Sequence, residues 1–143
     1  MTLPTSKLVE YWYNQQGFFT IKGEGADYDL LAVQNQNGKN WRYIHCEIRV
    51  QDHELFLHSS SLHGIHSKNV PPPPASQVDR WLQDTFTSFK RRAAREKLVP
   101  NVEWDYHLIY GNRIKQDELD LLTAKGITTI PLSKIVLDVK EHV

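Results

Sequence analysis

The dipeptide Asn37-Gly38 sits between two strand-length runs, 27–34 and 42–51, and constrains the fold more than any other feature of the chain. A tight two-residue hairpin turn needs positive φ at its centre, which asparagine and glycine tolerate best. The two runs are therefore predicted to be antiparallel neighbours. Side chains alternate across a strand, so Ile44, Cys46, Ile48 and Val50 share one face of the second run and His45, Glu47, Arg49 and Gln51 the other. Folding about the turn brings Asp29 opposite Glu47, or one residue away from it.

The rest of the chain supplies helices and parallel strands around this hairpin. A helix is predicted over 6–16, with Thr5 or Ser6 as its N-cap, Leu8, Val9, Trp12 and Tyr13 on one face, and Gly17 at its end. A short strand follows over 18–21. Residues 52–74 are rich in serine and histidine, end in prolines and carry no core-facing period, so they are predicted to be a long polar surface loop. Ser76 is predicted to start a continuous helix, with Asp79 as a capping-box-like partner and a buried stripe of Val78, Trp81, Leu82, Thr85, Phe86, Phe89 and Ala93. Alternation from Val102 to Tyr110 predicts a strand closed by Gly111. A helix over 116–125 and a strand over 127–130, ended by Pro131, should complete a right-handed parallel crossover. Ser133 is expected to cap a last helix carrying Ile135, Val136 and Val139, with Leu132 and Leu137 as a hydrophobic staple. Trp12, Trp81 and Trp104 fall on apolar stripes, whereas Trp41 beside the turn should be exposed. The order αβββαβαβα predicts an α/β fold: a mixed sheet flanked by helices in one domain over 1–143.

Composition narrows the function classes. Seventeen basic residues balance seventeen acidic ones, so affinity for nucleic acid would need a local patch. Lys90, Arg91, Arg92, Arg95 and Lys97 form one near a helix C-terminus, where they could equally complement the helix dipole. The single cysteine, Cys46, excludes an intrachain disulfide, and with the polar opening of the chain it points to the cytoplasm. No apolar run approaches the roughly 20 residues needed to span a bilayer, so no membrane partner is expected. His53, His58, His63 and His66 in the polar loop lack cysteine partners and zinc-ligand spacing, which disfavours a zinc site.

The chemistry concentrates at Asp29 and Glu47. Like charges facing each other across a strand pair cost roughly 0.2 to 1 kcal/mol when exposed, and more when partly buried. Asp29 precedes the apolar run Leu30-Leu31-Ala32-Val33, at the margin of a core. A hard divalent cation would compensate the repulsion, since carboxylate and carbonyl oxygens are the donors Mg²⁺ prefers. Such an ion activates water and neutralises charge on a phosphodiester, and Arg49 would face the same site.

The run Asp27-Tyr28-Asp29-Leu30-Leu31-Ala32-Val33, a hairpin, and then His45-Cys46-Glu47-Ile48-Arg49-Val50 resembles the core motif of the PD-(D/E)XK nuclease superfamily, and the predicted element order is similar to that superfamily's restriction-endonuclease-like core. The resemblance implies a metal-dependent nuclease acting on nucleic acid, DNA foremost, with Mg²⁺ or Mn²⁺ as cofactor. It implies Asp29 and Glu47 as metal-binding carboxylates, with Ile48 contributing its backbone carbonyl. Glu10 matches an acidic residue that many members place on the first helix. Arg49 stands where the family usually has lysine. Arginine stays charged and can stabilise an anion, but it cannot take a proton from water. Lys22 on the adjoining strand could supply an ammonium group, and His45 a proton acceptor. Lys22, Arg91, Arg92 and Arg95 are the candidate phosphate contacts. Many members act as dimers, so a homodimer is a further expectation. A nuclease-like module that has lost catalysis and binds nucleic acid or a protein partner is the alternative.

Overall fold

The computed structural model describes residues 4–23, 27–51 and 74–141. Helix α1 (Thr5–Gln15) leads into strands β1 (Phe19–Lys22), β2 (Leu30–Asn35) and β3 (Trp41–Arg49). Helix α2 (Pro74–Leu82), a π-helical turn (Gln83–Thr87) and helix α3 (Phe89–Leu98) precede β4 (Asp105–Tyr110). Helix α4 (Gln116–Ala124), strand β5 (Thr128–Pro131) and helix α5 (Leu132–Glu141) complete the order. The fold is α/β: the strands form one mixed sheet in the order β1-β2-β3-β4-β5, antiparallel as far as β3 and parallel from there to β5. Among the described residues no helix is long and apolar enough to cross a membrane.

The hairpin forms around Asn37-Gly38, but as a loop closed between Gln36 and Asn40 and not as a two-residue turn, and Asn37 does not take positive φ. Gly38 takes φ +75°, its amide donates to Asn35 Oδ1 at 2.6 Å, and Gln36 N bonds Asn40 O at 2.7 Å. In the resulting register Leu30 faces Cys46 and Leu31 faces His45. Asp29, one residue before the strand, is thus brought beside Glu47.

Each face of the sheet carries its own apolar layer. On one, Val9, Trp12 and Tyr13 of α1 and Ile135 of α5 pack on Leu30, Ala32, Ile44, Cys46, Ile109 and Ile130. On the other, Val78 and Phe86 join Leu108, Ile114, Leu119, Leu122 and Ile127. β3 and β4 are therefore buried on both sides, and the polar stripe of β3 lies under the helical segment from α2 to α3.

Four expectations are corrected here. The helix expected to run unbroken from Ser76 begins at Pro74 and is interrupted, because Ser88 adopts an extended conformation (φ −60°, ψ 156°) and its hydroxyl accepts from Arg91 N to start α3. The phase of the stripe is lost at this break, and Phe89 ends 82% exposed. Asp79 pairs with Lys125 at 2.9 Å instead of closing a capping box. The staple in α5 does not form: Leu132 packs on the core while Leu137 is 60% exposed. Pro131 is the last residue of β5, and α5 follows at once from Leu132. The polar loop expected over 52–74, with its four histidines, lies outside the described residues apart from Pro74.

Candidate functional site

Asp29 and Glu47 interlock through their own backbones. Asp29 N donates to Glu47 Oε2 at 2.9 Å, and Ile48 N donates to Asp29 Oδ2 at 2.8 Å. Gly23 makes this close approach possible: its amide bonds Asp29 O at 3.1 Å, and a Cβ there would lie 1.7 Å from the Tyr28 carbonyl oxygen. Any side chain at 23 would displace the Tyr28-Asp29 segment from its place between β1 and β3.

Arg49 answers the repulsion between the two carboxylates. Its Nη1 bonds Asp29 Oδ2 and the Ile48 carbonyl, both at 3.0 Å, and its Nη2 bonds Glu47 Oε1 at 3.0 Å. Two carboxylate oxygens and one backbone oxygen thus converge on a single cationic group. These are hard donors of the kind Mg²⁺ and Mn²⁺ take, with water completing the shell. Asp29, Glu47 and Ile48 fit a divalent ion by donor chemistry, and Arg49 would have to leave them to admit it. Among the described residues no group of three or more His, Cys, Asp or Glu side chains is placed to hold a metal, so such a site would rest on two carboxylates and a carbonyl.

Glu47 is buried at 0% exposure and is surrounded by donors. His45 Nε2 lies 2.8 Å from Oε2, and Arg91 Nη1 lies 2.9 Å from the same oxygen, an ion pair by distance that is not aligned as a hydrogen bond. Burial alone would raise the pKa of Glu47, but the His45 hydrogen bond, the Asp29 amide and Arg49 outweigh it and hold the carboxyl below its ordinary range. Burial lowers the pKa of His45 despite the carboxylate beside it.

Arg91 and Arg95 are one helical turn apart on α3 and both reach down to the β3 face. Arg91, expected to contact phosphate, pairs with Glu47. Arg95 is only 4% exposed; it bonds His45 Nδ1, the Phe86 carbonyl and the Tyr106 hydroxyl, and its guanidinium lies over the Tyr106 ring. It is a buried structural cation, not a surface phosphate contact. Arg92 remains exposed, at a small cavity of about 380 Å³ that Trp104 and Tyr106 also line.

Two further candidates are not drawn into this cluster. Lys22 is paired with Leu30, and Leu30 with Cys46, so strand alternation sets Lys22 on the α1 side of the sheet, opposite Glu47. Glu10 pairs with Lys7 of its own helix at 3.8 Å. The sequence reading missed the roles of Arg91 and Arg95 toward Glu47 and His45. The signal available was their i, i+4 spacing, but nothing in the sequence aligned that helical face with β3. Compared with protein-family models, curated proteins and solved structures, the chain matches none.

Proposed function

We propose that this chain is a small metal-dependent nuclease of the PD-(D/E)XK kind, hydrolysing phosphodiester bonds in nucleic acid, with DNA as the first substrate to test. The observation that carries the reading is the convergence of Asp29 Oδ2, Glu47 Oε1 and the Ile48 carbonyl on one cationic position. The five-stranded mixed sheet, with a hairpin presenting Asp29 and Glu47 side by side, supports a restriction-endonuclease-like core. Asp29, Glu47 and Ile48 would hold Mg²⁺ or Mn²⁺, which when bound supplies Lewis-acid polarisation of the phosphodiester and a more acidic water. Arg49, released from the carboxylates, keeps its charge and donates to phosphate oxygens, stabilising the anion as charge develops. It contributes nothing to removing a proton from water. Arg91 stays against Glu47 as a further counter-charge. A reducing cytoplasm suits the buried free thiol of Cys46.

One observation favours a second reading. The Arg49 guanidinium already satisfies all three oxygens, so the cation could be permanent and the chain a catalytically inactive module that binds nucleic acid or a protein. The experiment is cleavage of mixed DNA and RNA substrates with Mg²⁺ or Mn²⁺ by the native chain and by Asp29→Ala, Glu47→Gln and Arg49→Lys proteins of verified fold. The nuclease reading expects metal-dependent cleavage that is lost in the first two and retained or raised in the third. No cleavage and no bound Mn²⁺ in either the native chain or Arg49→Lys would transfer the assignment to the inactive module.

A further inference from the structure

A carboxylate that serves a cation must offer the right oxygen, and Glu47 has two. Oε1 faces Arg49 and, through it, Asp29, whereas Oε2 faces His45. His45 is fully buried, edge-on to Phe86, Tyr106 and Tyr28 at centroid distances of 5.0, 6.0 and 6.3 Å. Its two nitrogens have different partners. Arg95 Nη1 lies 2.8 Å from Nδ1, and Glu47 Oε2 lies 2.8 Å from Nε2. A guanidinium has donors only, so Nδ1 must accept, and the proton of the neutral ring is left on Nε2 and donated to Glu47. Arg95 is in turn fixed by the Phe86 carbonyl and the Tyr106 hydroxyl.

We infer that Arg95 fixes His45 as its Nε2–H tautomer and that His45 thereby acts as a positioning residue, engaging Glu47 Oε2 so that Oε1 is presented to the cation position shared with Asp29. The sequence suggested His45 as a proton acceptor at the site. The structure removes that role, because the accepting nitrogen is occupied by Arg95 and the ring is sealed from solvent. The arrangement is a carboxylate oriented from behind by a hydrogen-bonded neighbour, as outer partners commonly orient metal ligands. The inference rests on the proposed cation site, but its two spectroscopic tests do not depend on cleavage.

Nitrogen-15 spectra of the full chain should show His45 as a single neutral Nε2–H form, and Arg95→Met should convert it to a mixture of tautomers. The same spectra should show slow rotation of the Arg49 guanidinium, which Asp29 and Glu47 hold. His45→Phe fills the aromatic slot without a donor; it should free Glu47, average the Arg49 signals and weaken Mn²⁺ binding roughly 10- to 100-fold. His45→Gln keeps an N–H at similar reach and should restore slow Arg49 rotation. A native chain that neither binds Mn²⁺ nor cleaves nucleic acid overturns the nuclease reading while the tautomer and Arg49 signals still judge the positioning role. An Nδ1–H or doubly protonated His45, or Phe and Gln variants with the same Arg49 signals, overturns the inference itself.

Discussion

The two faces of β3 are buried to the same degree and built from opposite materials. On the α1 side, Ile44 and Cys46 are wholly enclosed among aliphatic and aromatic side chains. On the α3 side, His45 and Glu47 are equally enclosed, but among guanidinium groups, backbone amides and aromatic rings. Removing a group from the apolar face loses contacts and leaves at most a small cavity. Removing one from the polar face also strands its partners, since a buried charge without a counter-charge costs far more than an unfilled methyl. The polar face is therefore the fragile one, and a chain keeping such an arrangement gains position at the expense of tolerance.

The contrast can be broken most directly at Glu47. Glu47→Ala leaves Arg49 and Arg91 without their shared anion and should lower stability by about 3 to 5 kcal/mol. Ile44→Val on the facing layer should cost only about 0.5 to 1.5 kcal/mol. Urea unfolding of both proteins reads the difference; equal losses would mean that the polar face contributes no more than packing.

The next effect tests whether the apolar face is free of ionisation. His107 is buried there, its Nδ1 lying 2.7 Å from the Tyr13 hydroxyl. Burial, helped by Arg42, lowers its pKa to about 4. The folded pKa lies below the unfolded value, so below about pH 6.5 the unfolded chain takes up a proton that the folded chain refuses. The stability present above about pH 6.5 should fall by up to roughly 3 kcal/mol as pH drops toward 4. His107→Gln should flatten part of that slope in melts across this range. His45 shifts in the same direction, so some slope should remain. An unchanged slope would remove His107 from the account.

The smallest effect sharpens what burial does to an ion pair. Asp79 and Lys125 meet at 2.9 Å, but their side chains are 61% and 42% exposed. Asp79→Ala should cost only about 0.2 to 1 kcal/mol, and less as salt is added. The loss at Glu47 should be nearly indifferent to salt. Similar salt responses at the two positions would show that water reaches Glu47.

Much of the fold was legible because its signals are local. Asn37-Gly38 set the hairpin, period-2 alternation sorted Cys46 from Glu47, and Gly17 and Gly126 end their helices at φ +92° and +88°. The failures came where a side chain redirected the backbone. Ser88 looks like an ordinary helical residue by spacing, yet its hydroxyl caps a new helix and turns Phe89 outward. Lys22 was misplaced because its face follows from the strand-to-strand register, which aligns it with Leu30 and Cys46 and not with Glu47.

What the sequence determined by itself is the pairing of Asp29 with Glu47 and the presence of Arg49 on the same face. Turn chemistry and strand alternation act over a few residues and leave little choice. Arg49 of the same strand bridges the pair, and only the tertiary structure decided what else meets Glu47 and its neighbour His45. Arg91 and Arg95 arrive on α3 from more than 40 positions away, and their direction depends on how α3 docks across β3 and β4 after the break at Ser88. Docking of that kind is set by the fit of whole packed layers, with Phe86 and Tyr106 filling the space around His45. The local pattern on β3 already places the Arg49 guanidinium between the carboxylates, and which further cations reach Glu47 and His45 was fixed by the packing above it.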